Sequence, residues 1–189
     1  MLKAAIIGSG GRMGRMLIAC AERMEGIEVA ATADIGDDLA AAIAKCDVAI
    51  DFSFHEVTAT VAELCAAGGK ALVIGTTGHK PSEKEAICRA IKPIPTVWAS
   101  NYSTGVNTLF WLSRKAAEIL GPEFDIEVVE MHHHHKKDAP SGTADTLGRI
   151  LSEARSLQYE AAARYGRVGL VGERAGPAAK RQATGGRSK

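Results

Sequence analysis

Short apolar runs alternate with Ala-rich amphipathic stretches along the first hundred residues. Ala4–Ile7 reads as a strand, and Arg12–Met24 as a helix with apolar positions at 13, 16, 17 and 20. Ile27–Ala33 reads as a second strand, Asp38–Lys45 as a helix, and Asp47–Phe52 as a third strand. A helix over Val57–Ala67, a strand over Ala71–Ile74, a helix over Ser82–Ile91 and a strand over Thr96–Ala99 continue the series. Strands that are apolar throughout are buried on both faces, and strict βαβ alternation needs crossover helices. The pattern therefore predicts an α/β fold of Rossmann type, a mostly parallel sheet with helices on both faces.

The rhythm changes after Asn101-Tyr102-Ser103-Thr104-Gly105, which reads as a hinge. Val106–Leu120 is a long helical pattern stopped by Gly121-Pro122. Phe124–Glu130 alternates like a strand, Met131–Thr143 is polar and loop-like, and Ala144–Ala154 returns to helix. Periodicity fades from Gly166, and Gly176–Lys189 holds four Lys/Arg, no acid and no aliphatic residue larger than Ala, which predicts a disordered basic tail. The expected organisation is a dinucleotide-binding domain at 1–103, a smaller and incomplete α+β substrate domain at 104–175, and the tail at 176–189.

Composition narrows the function classes. A net charge of +1 over 189 residues gives no global field to attract nucleic acid or an anionic membrane. Cys20, Cys46, Cys65 and Cys88 form no C-x-x-C pair and sit among apolar residues, so they are expected to be reduced and packed in the core. No apolar run is long enough to span a bilayer, and Gly8 interrupts the N-terminal run before a signal-peptide core forms. The expected location is the cytoplasm.

The first strand runs into Gly8-Ser9-Gly10-Gly11-Arg12-Met13-Gly14 and then into a helix. Glycines there let the chain turn tightly and let phosphate oxygens approach backbone N–H groups, while the helix N-terminus favours an anion. The spacing is G-x-x-G-x-x-G on 8, 11 and 14, because Met stands at 13 where the stricter pattern has glycine. Asp34, at the end of the second strand and 20 positions after Gly14, is placed to bind ribose hydroxyls. Ile35 follows it, so a 2′-phosphate would meet a carboxylate with only Arg12 nearby to soften the clash; the pattern predicts NADH in preference to NADPH. The bland alternative is a glycine-rich turn without ligand. Phe52-Ser53-Phe54 and Gly75-Thr76-Thr77-Gly78 also leave strand C-terminal ends, where such sheets bind ligands.

The segment Glu130-Met131-His132-His133-His134-His135-Lys136-Lys137-Asp138-Ala139-Pro140-Ser141-Gly142-Thr143-Ala144 carries the densest chemistry. An engineered tag belongs at a terminus, not between a strand and a helix. A metal site lacks a completing cysteine or second acidic cluster, so no metal is expected. As a loop for a small dianion, the segment offers imidazoles that donate protons near neutral pH and lysines for charge. Its Ser141-Gly142-Thr143 helix start can seat a carboxylate.

Together with Gly11–Gly14, Asp51-Phe52-Ser53, Gly75–Gly78, Ala99–Ser103 and Gly105-Val106-Asn107, this segment resembles the 4-hydroxy-tetrahydrodipicolinate (dihydrodipicolinate) reductase family, from residue 3 to about 174. The resemblance implies NAD(P)H across Gly8, Ser9, Gly10, Gly11, Arg12 and Met13, with Asp34 on the ribose. Gly75, Thr76, Thr77, Ala99, Ser100, Asn101 and Tyr102 would line the nicotinamide side. It implies His132 as proton donor/acceptor, Lys136 as second proton donor, and His133, Ser141, Gly142 and Thr143 holding the carboxylates of a small dicarboxylate substrate. It implies a role in lysine and diaminopimelate biosynthesis and a homotetramer. Family members are longer between Asp34 and Asp47. They also continue past the Gly172-Glu173-Arg174 match with further strands and a helix, so this chain is expected to be shortened at its C-terminal end. Two other readings stand beside this one: a nucleotide-binding remnant without turnover, and a Rossmann dehydrogenase for a different small acid.

Overall fold

The computed structural model describes residues 1–134, 136 and 139–166, and these fall into two compact units that meet in sequence at Tyr102/Ser103. In the first unit, β1 (Leu2–Ile7), β2 (Ile27–Ala33), β3 (Val48–Asp51), β4 (Ala71–Ile74) and β5 (Thr96–Trp98) form a parallel sheet in the order β2-β1-β3-β4-β5. The crossovers are α1 (Arg12–Ala21), α2 (Leu39–Ala44), α3 (His55–Gly68) and α4 (Pro81–Ala90). This is the Rossmann-type parallel sheet that the alternation predicts. Strand order reverses between β1 and β3, the switch point at which open α/β sheets bind ligands.

The register explains why the ligand-facing residues cluster. Ala33, Ile7, Asp51, Ile74 and Trp98 pair side by side across the sheet, so all five strands end on one row. The next residue of each strand is Asp34, Gly8, Phe52, Gly75 or Ala99. Four of these five are sequence-assigned cofactor residues, brought to one edge by register alone. Below them, Ala5, Ile7, Ala49, Leu72 and Ile74 of the strands pack with Ile43, Val61, Ala62, Cys65 and Ile87 of α2, α3 and α4 in a buried core. Local chemistry fixes the helix ends. Asp38 Oδ1 accepts from Ala41 N at 3.0 Å at the start of α2, and Gly69 closes α3 in the left-handed conformation at φ 62.

The second unit contains α5 (Thr104–Leu120), α6 (Gly142–Ala154) and the short α7 (Tyr159–Ala162). Ser103 and Ser141 cap α5 and α6 by accepting from Val106 N and Ala144 N. Arg114 bridges to Glu153 at 2.7 Å, and Tyr159 of α7 lies over Gly148 of α6.

Two expectations are corrected. Phe124–Glu130 forms no strand and pairs with none among the described residues, so its backbone groups lack the ladder that defines a strand. Of the four cysteines, Cys46 and Cys65 are buried in the core, but Cys20 and Cys88 are exposed. Their apolar neighbours in sequence lie on helices that turn those two positions outward. All four are free thiols. The fourth histidine, His135, with Lys137, Asp138 and the expected tail at 176–189, lies outside the described residues. Among the described residues no helix is long and apolar enough to cross a membrane.

Candidate active site

The glycine turn is built so that side chains cannot enter it. Gly8 has φ +82, and a Cβ there would meet the Phe52 carbonyl and Ser53 Cα. A Cβ on Gly14 would collide with the Gly8 carbonyl oxygen and Ser9 Cα, which forces α1 to start close under the turn. Gly8 N and Ser9 N both donate to Ala33 O, at 2.8 and 3.2 Å. Gly10 N donates to Asp34 Oδ2, and Ile35 N to Asp34 Oδ1 at 2.8 Å. The structure thus brings Asp34 directly against the turn. Those two backbone N–H groups, with the positive charge of Arg15, hold its carboxyl below the usual carboxylate range. The sequence pointed to Arg12 as the nearby base; Arg15, one turn further along α1, is the one whose charge acts on Asp34. The first-turn N–H groups of Arg12 and Met13 have no partner further back in the helix, so they remain for a phosphate. A narrow glycine turn with an ionised carboxylate beside it fits the pyrophosphate and ribose of a dinucleotide.

The second cluster lies at the ends of β3, β4 and β5. Thr76 is buried; its hydroxyl accepts from Ser53 N at 3.0 Å and donates to Asp51 O at 3.3 Å. Thr77 is exposed. A Cβ on Gly75 would stand inside the Phe52 ring. The Tyr102 hydroxyl lies 2.9 Å from Ile74 O and 3.0 Å from Val97 O, and Ala99 N donates to Ile74 O at 3.3 Å. The 99–102 segment is therefore tied to the start of the 75–77 loop. Ser100 and Asn101 lie within that segment.

Sequence reasoning gave no role to several groups around this loop. His55 Nδ1 lies 2.9 Å from Glu83 Oε2, and Glu83 also accepts from Lys80 N at 2.7 Å, which fastens the start of α3 to the start of α4. With Glu56 these residues form a cluster able to approach a metal ion, but Lys80 Nζ already lies 3.7 Å from Glu56 and 4.0 Å from Glu83. His79 is buried edge-on against Trp98, with ring centroids 5.3 Å apart, and burial pushes its pKa below the ordinary histidine value. A histidine after a glycine turn carries no sequence signal for burial.

In the second unit, Glu130 organises the segment that the sequence marked as catalytic. Its Oε2 lies 2.8 Å from His132 Nε2, and its Oε1 accepts from Ser141 N at 2.9 Å. The Ser141 hydroxyl, His132 and the Ser141 N–H together hold the Glu130 carboxyl down at about 2. A bond from Nε2 to a carboxylate requires the proton on Nε2, which leaves Nδ1 as the other reactive position. Gly142 and Thr143 form the first turn of α6, whose N–H groups have no partner further back in the helix. His133 O accepts from Lys136 N at 3.1 Å. The structure joins His132 to Ser141 through Glu130, a residue that the sequence pattern names without assigning it a task.

The chain matches two family models, "Dihydrodipicolinate reductase, N-terminus" over residues 2–102 and "Dihydrodipicolinate reductase, C-terminus" over residues 105–185. It is 53% identical to a 4-hydroxy-tetrahydrodipicolinate reductase of Akkermansia muciniphila, covering 92% of this chain and 71% of that protein. It is 44% identical to one of Halorhodospira halophila, covering 92% and 73%. Among solved structures, a dipicolinate-bound dihydrodipicolinate reductase from Paenisporosarcina sp. TG-14 superposes with a TM-score of 0.69 at 26% identity, over 88% of this chain and 69% of that one. By these matches the chain belongs to the dihydrodipicolinate reductase family.

Proposed function

We propose that this chain reduces 4-hydroxy-tetrahydrodipicolinate to tetrahydrodipicolinate with NAD(P)H, in lysine and diaminopimelate biosynthesis. The observation that carries the reading is the Glu130 carboxylate, which holds a histidine ring and the N-cap of α6 at once. It puts a proton-donating imidazole on the same support as a helix N-terminus able to bind a carboxylate. The substrate named for the relatives, and the dipicolinate bound by the structural neighbour, are small ring dicarboxylates.

In the overall reaction the substrate and one proton take up one hydride, and the 4-hydroxyl leaves as water. A bound reduced nicotinamide dinucleotide supplies the hydride. The chain's own residues do the rest. Gly8–Met13 and Asp34 bind the pyrophosphate and ribose, and Gly75–Thr77 with Ala99–Tyr102 line the nicotinamide side. Gly142 and Thr143 N–H groups, Ser141 and His133 hold carboxylates. Glu130 orients His132, and His132 with Lys136 moves the proton. The cytoplasm is the compartment proposed, and light scattering measures the oligomeric state of the chain.

A reductase assay coupled to synthesis of the substrate from pyruvate and aspartate semialdehyde tests the reading. His132→Ala should lower turnover by about 10²–10⁴-fold, the range for loss of a positioned acid–base group. Equal rates for variant and parent would remove the assigned role, and NADH binding without turnover in the parent would favour the remnant reading. NADH is preferred over NADPH because Asp34 meets a 2′-phosphate and the fully exposed Ile35 offers no cation. Titration of both nucleotides checks it, and tighter NADPH binding would overturn the Asp34 argument.

A further inference from the structure

Asp51 ends β3 with no exposed surface, and no step of the proposed reaction uses it. A buried carboxylate is costly unless its oxygens are fully bonded. Here Oδ1 accepts from both the N–H and the hydroxyl of Ser53, and Oδ2 accepts from the Thr58 hydroxyl of α3 at 2.8 Å. The Ser53 N–H is shared with the Thr76 hydroxyl, which in turn donates to the Asp51 carbonyl. One carboxylate therefore ties the corner after β3 to α3 and, through Ser53, to the loop after β4.

The corner it holds touches three of the segments read as cofactor-lining. The Phe52 carbonyl fills the space of a Gly8 Cβ, the Phe52 ring fills that of a Gly75 Cβ, and the same ring sits 6.0 Å from the Tyr102 ring. The anchoring is not symmetrical. The glycine turn takes its hydrogen bonds from the end of β2, through Ala33 O and Asp34. The Thr76 loop takes its own from the end of β3, through Ser53 and Asp51. The pyrophosphate side and the nicotinamide side are thus held by different strands.

We infer that Asp51 is a positioning residue: through Ser53 and Thr76 it fixes where the Gly75–Thr77 loop stands relative to the glycine turn, and so where the nicotinamide end of the dinucleotide lies. The inference rests on the nucleotide reading above. Two ligands separate it from a merely structural role, NADH and ADP-ribose, the latter carrying the pyrophosphate and both riboses but no nicotinamide.

Calorimetric titration of Asp51→Asn should show NADH affinity reduced about tenfold, the scale of a weakened charge-assisted hydrogen bond, with ADP-ribose affinity held within about twofold. Ser53→Ala, which deletes a single hydroxyl and leaves the backbone donor, should shift the same ratio in the same direction, and Ser53→Thr should restore it. If Asp51→Asn fails to fold, judged by its melting curve without ligand, the two Ser53 variants decide. Equal losses for NADH and ADP-ribose, or unchanged NADH affinity, would overturn the positioning role. Failure of the parent chain to bind either ligand would instead overturn the nucleotide reading, and the inference with it.

Discussion

In Met1–Tyr102, Ile7, Leu72, Ile74, Val61 and Ile87 are all within 1% of full burial, and strands and helices enclose them from within the unit. From Ser103 onward the described residues bury only Phe110, Ala117 and Ser141, while Trp111, Leu112, Ile119 and Val129 face outward. A groove of about 450 Å³ lies between α5, α6 and the 124–129 segment, with Leu120, Phe124, Ile126 and Leu151 among its walls. The first unit is held by apolar burial, which is cooperative and non-directional. The described part of the second is held by caps, by the Arg114–Glu153 and Arg149–Glu160 ion pairs, and by the α5–α6 seam. Exposed ion pairs contribute about 0–1 kcal/mol each, so the two units should answer differently to the same kind of perturbation.

The largest difference is expected from truncating matched isoleucines. Ile74→Ala should cost about 2–5 kcal/mol in urea denaturation, since it removes a fully enclosed side chain from the apolar core. Ile119→Ala, at a position 81% exposed, should stay within about 0.5 kcal/mol. Similar costs at both sites would break the contrast. Gly75→Ala comes next, because its Cβ would displace the Phe52 ring; overpacking of that kind costs about 1–3 kcal/mol. It should also weaken NADH binding, which a purely global destabilisation would not do at temperatures well below melting.

What the sequence made legible follows the same division. In the first unit the period of the apolar pattern and the tertiary environment agree. Ala71–Ile74 is a strand to the residue, and α1 begins at Arg12, although it stops at Ala21 rather than Met24. The glycine turn is legible because only glycine satisfies the positive φ and close Phe52 approach at Gly8 and the close Ser9 approach at Gly14. Asp51 is not: an acid at a strand end looks like surface until Thr58 and Thr76, the latter 25 residues away, are seen to converge on it. In the second unit, Phe124–Val128 has the alternation of a strand, but alternation specifies which face a residue takes and not whether a neighbour is there to pair with. Glu130 was missed for a related reason, since its bond to Ser141 spans eleven residues and leaves no local spacing to read.

Glu130 also gives a pH test confined to the second unit. Its folded-state carboxyl is depressed from the ordinary 4.5 to about 2, so its ionised form is the one that folding favours. A depressed acid contributes stability that is complete above its unfolded value and is lost as pH falls toward its folded value. Helicity followed by circular dichroism should therefore decline as pH drops from about 4.5 toward about 2, over and above the slope from other carboxylates. Glu130→Gln should remove that excess slope while leaving the neutral-pH sheet intact. A carboxyl NMR titration of Glu130 with an ordinary midpoint would show that the Ser141 and His132 contacts are not formed in solution.

The smallest expected effect on stability belongs to the thiols, and they report on the first unit alone, since Cys20, Cys46, Cys65 and Cys88 all precede Ser103. Cys20 and Cys88 are exposed and should react promptly with an aromatic disulfide reagent. Burial pushes the Cys46 thiol up and the Cys65 thiol up to about 12, so at pH 8 the reactive thiolate of Cys65 is a minority of about one in 10⁴, behind a closed core. Two thiols should therefore label quickly and two only through opening of the sheet. If burial holds the first unit together, Ile74→Ala should speed the slow pair by the factor its lost stability dictates, and Ile119→Ala should leave it unchanged. Acceleration by both would mean that opening of the second unit carries the first open with it, and that the two units are energetically one.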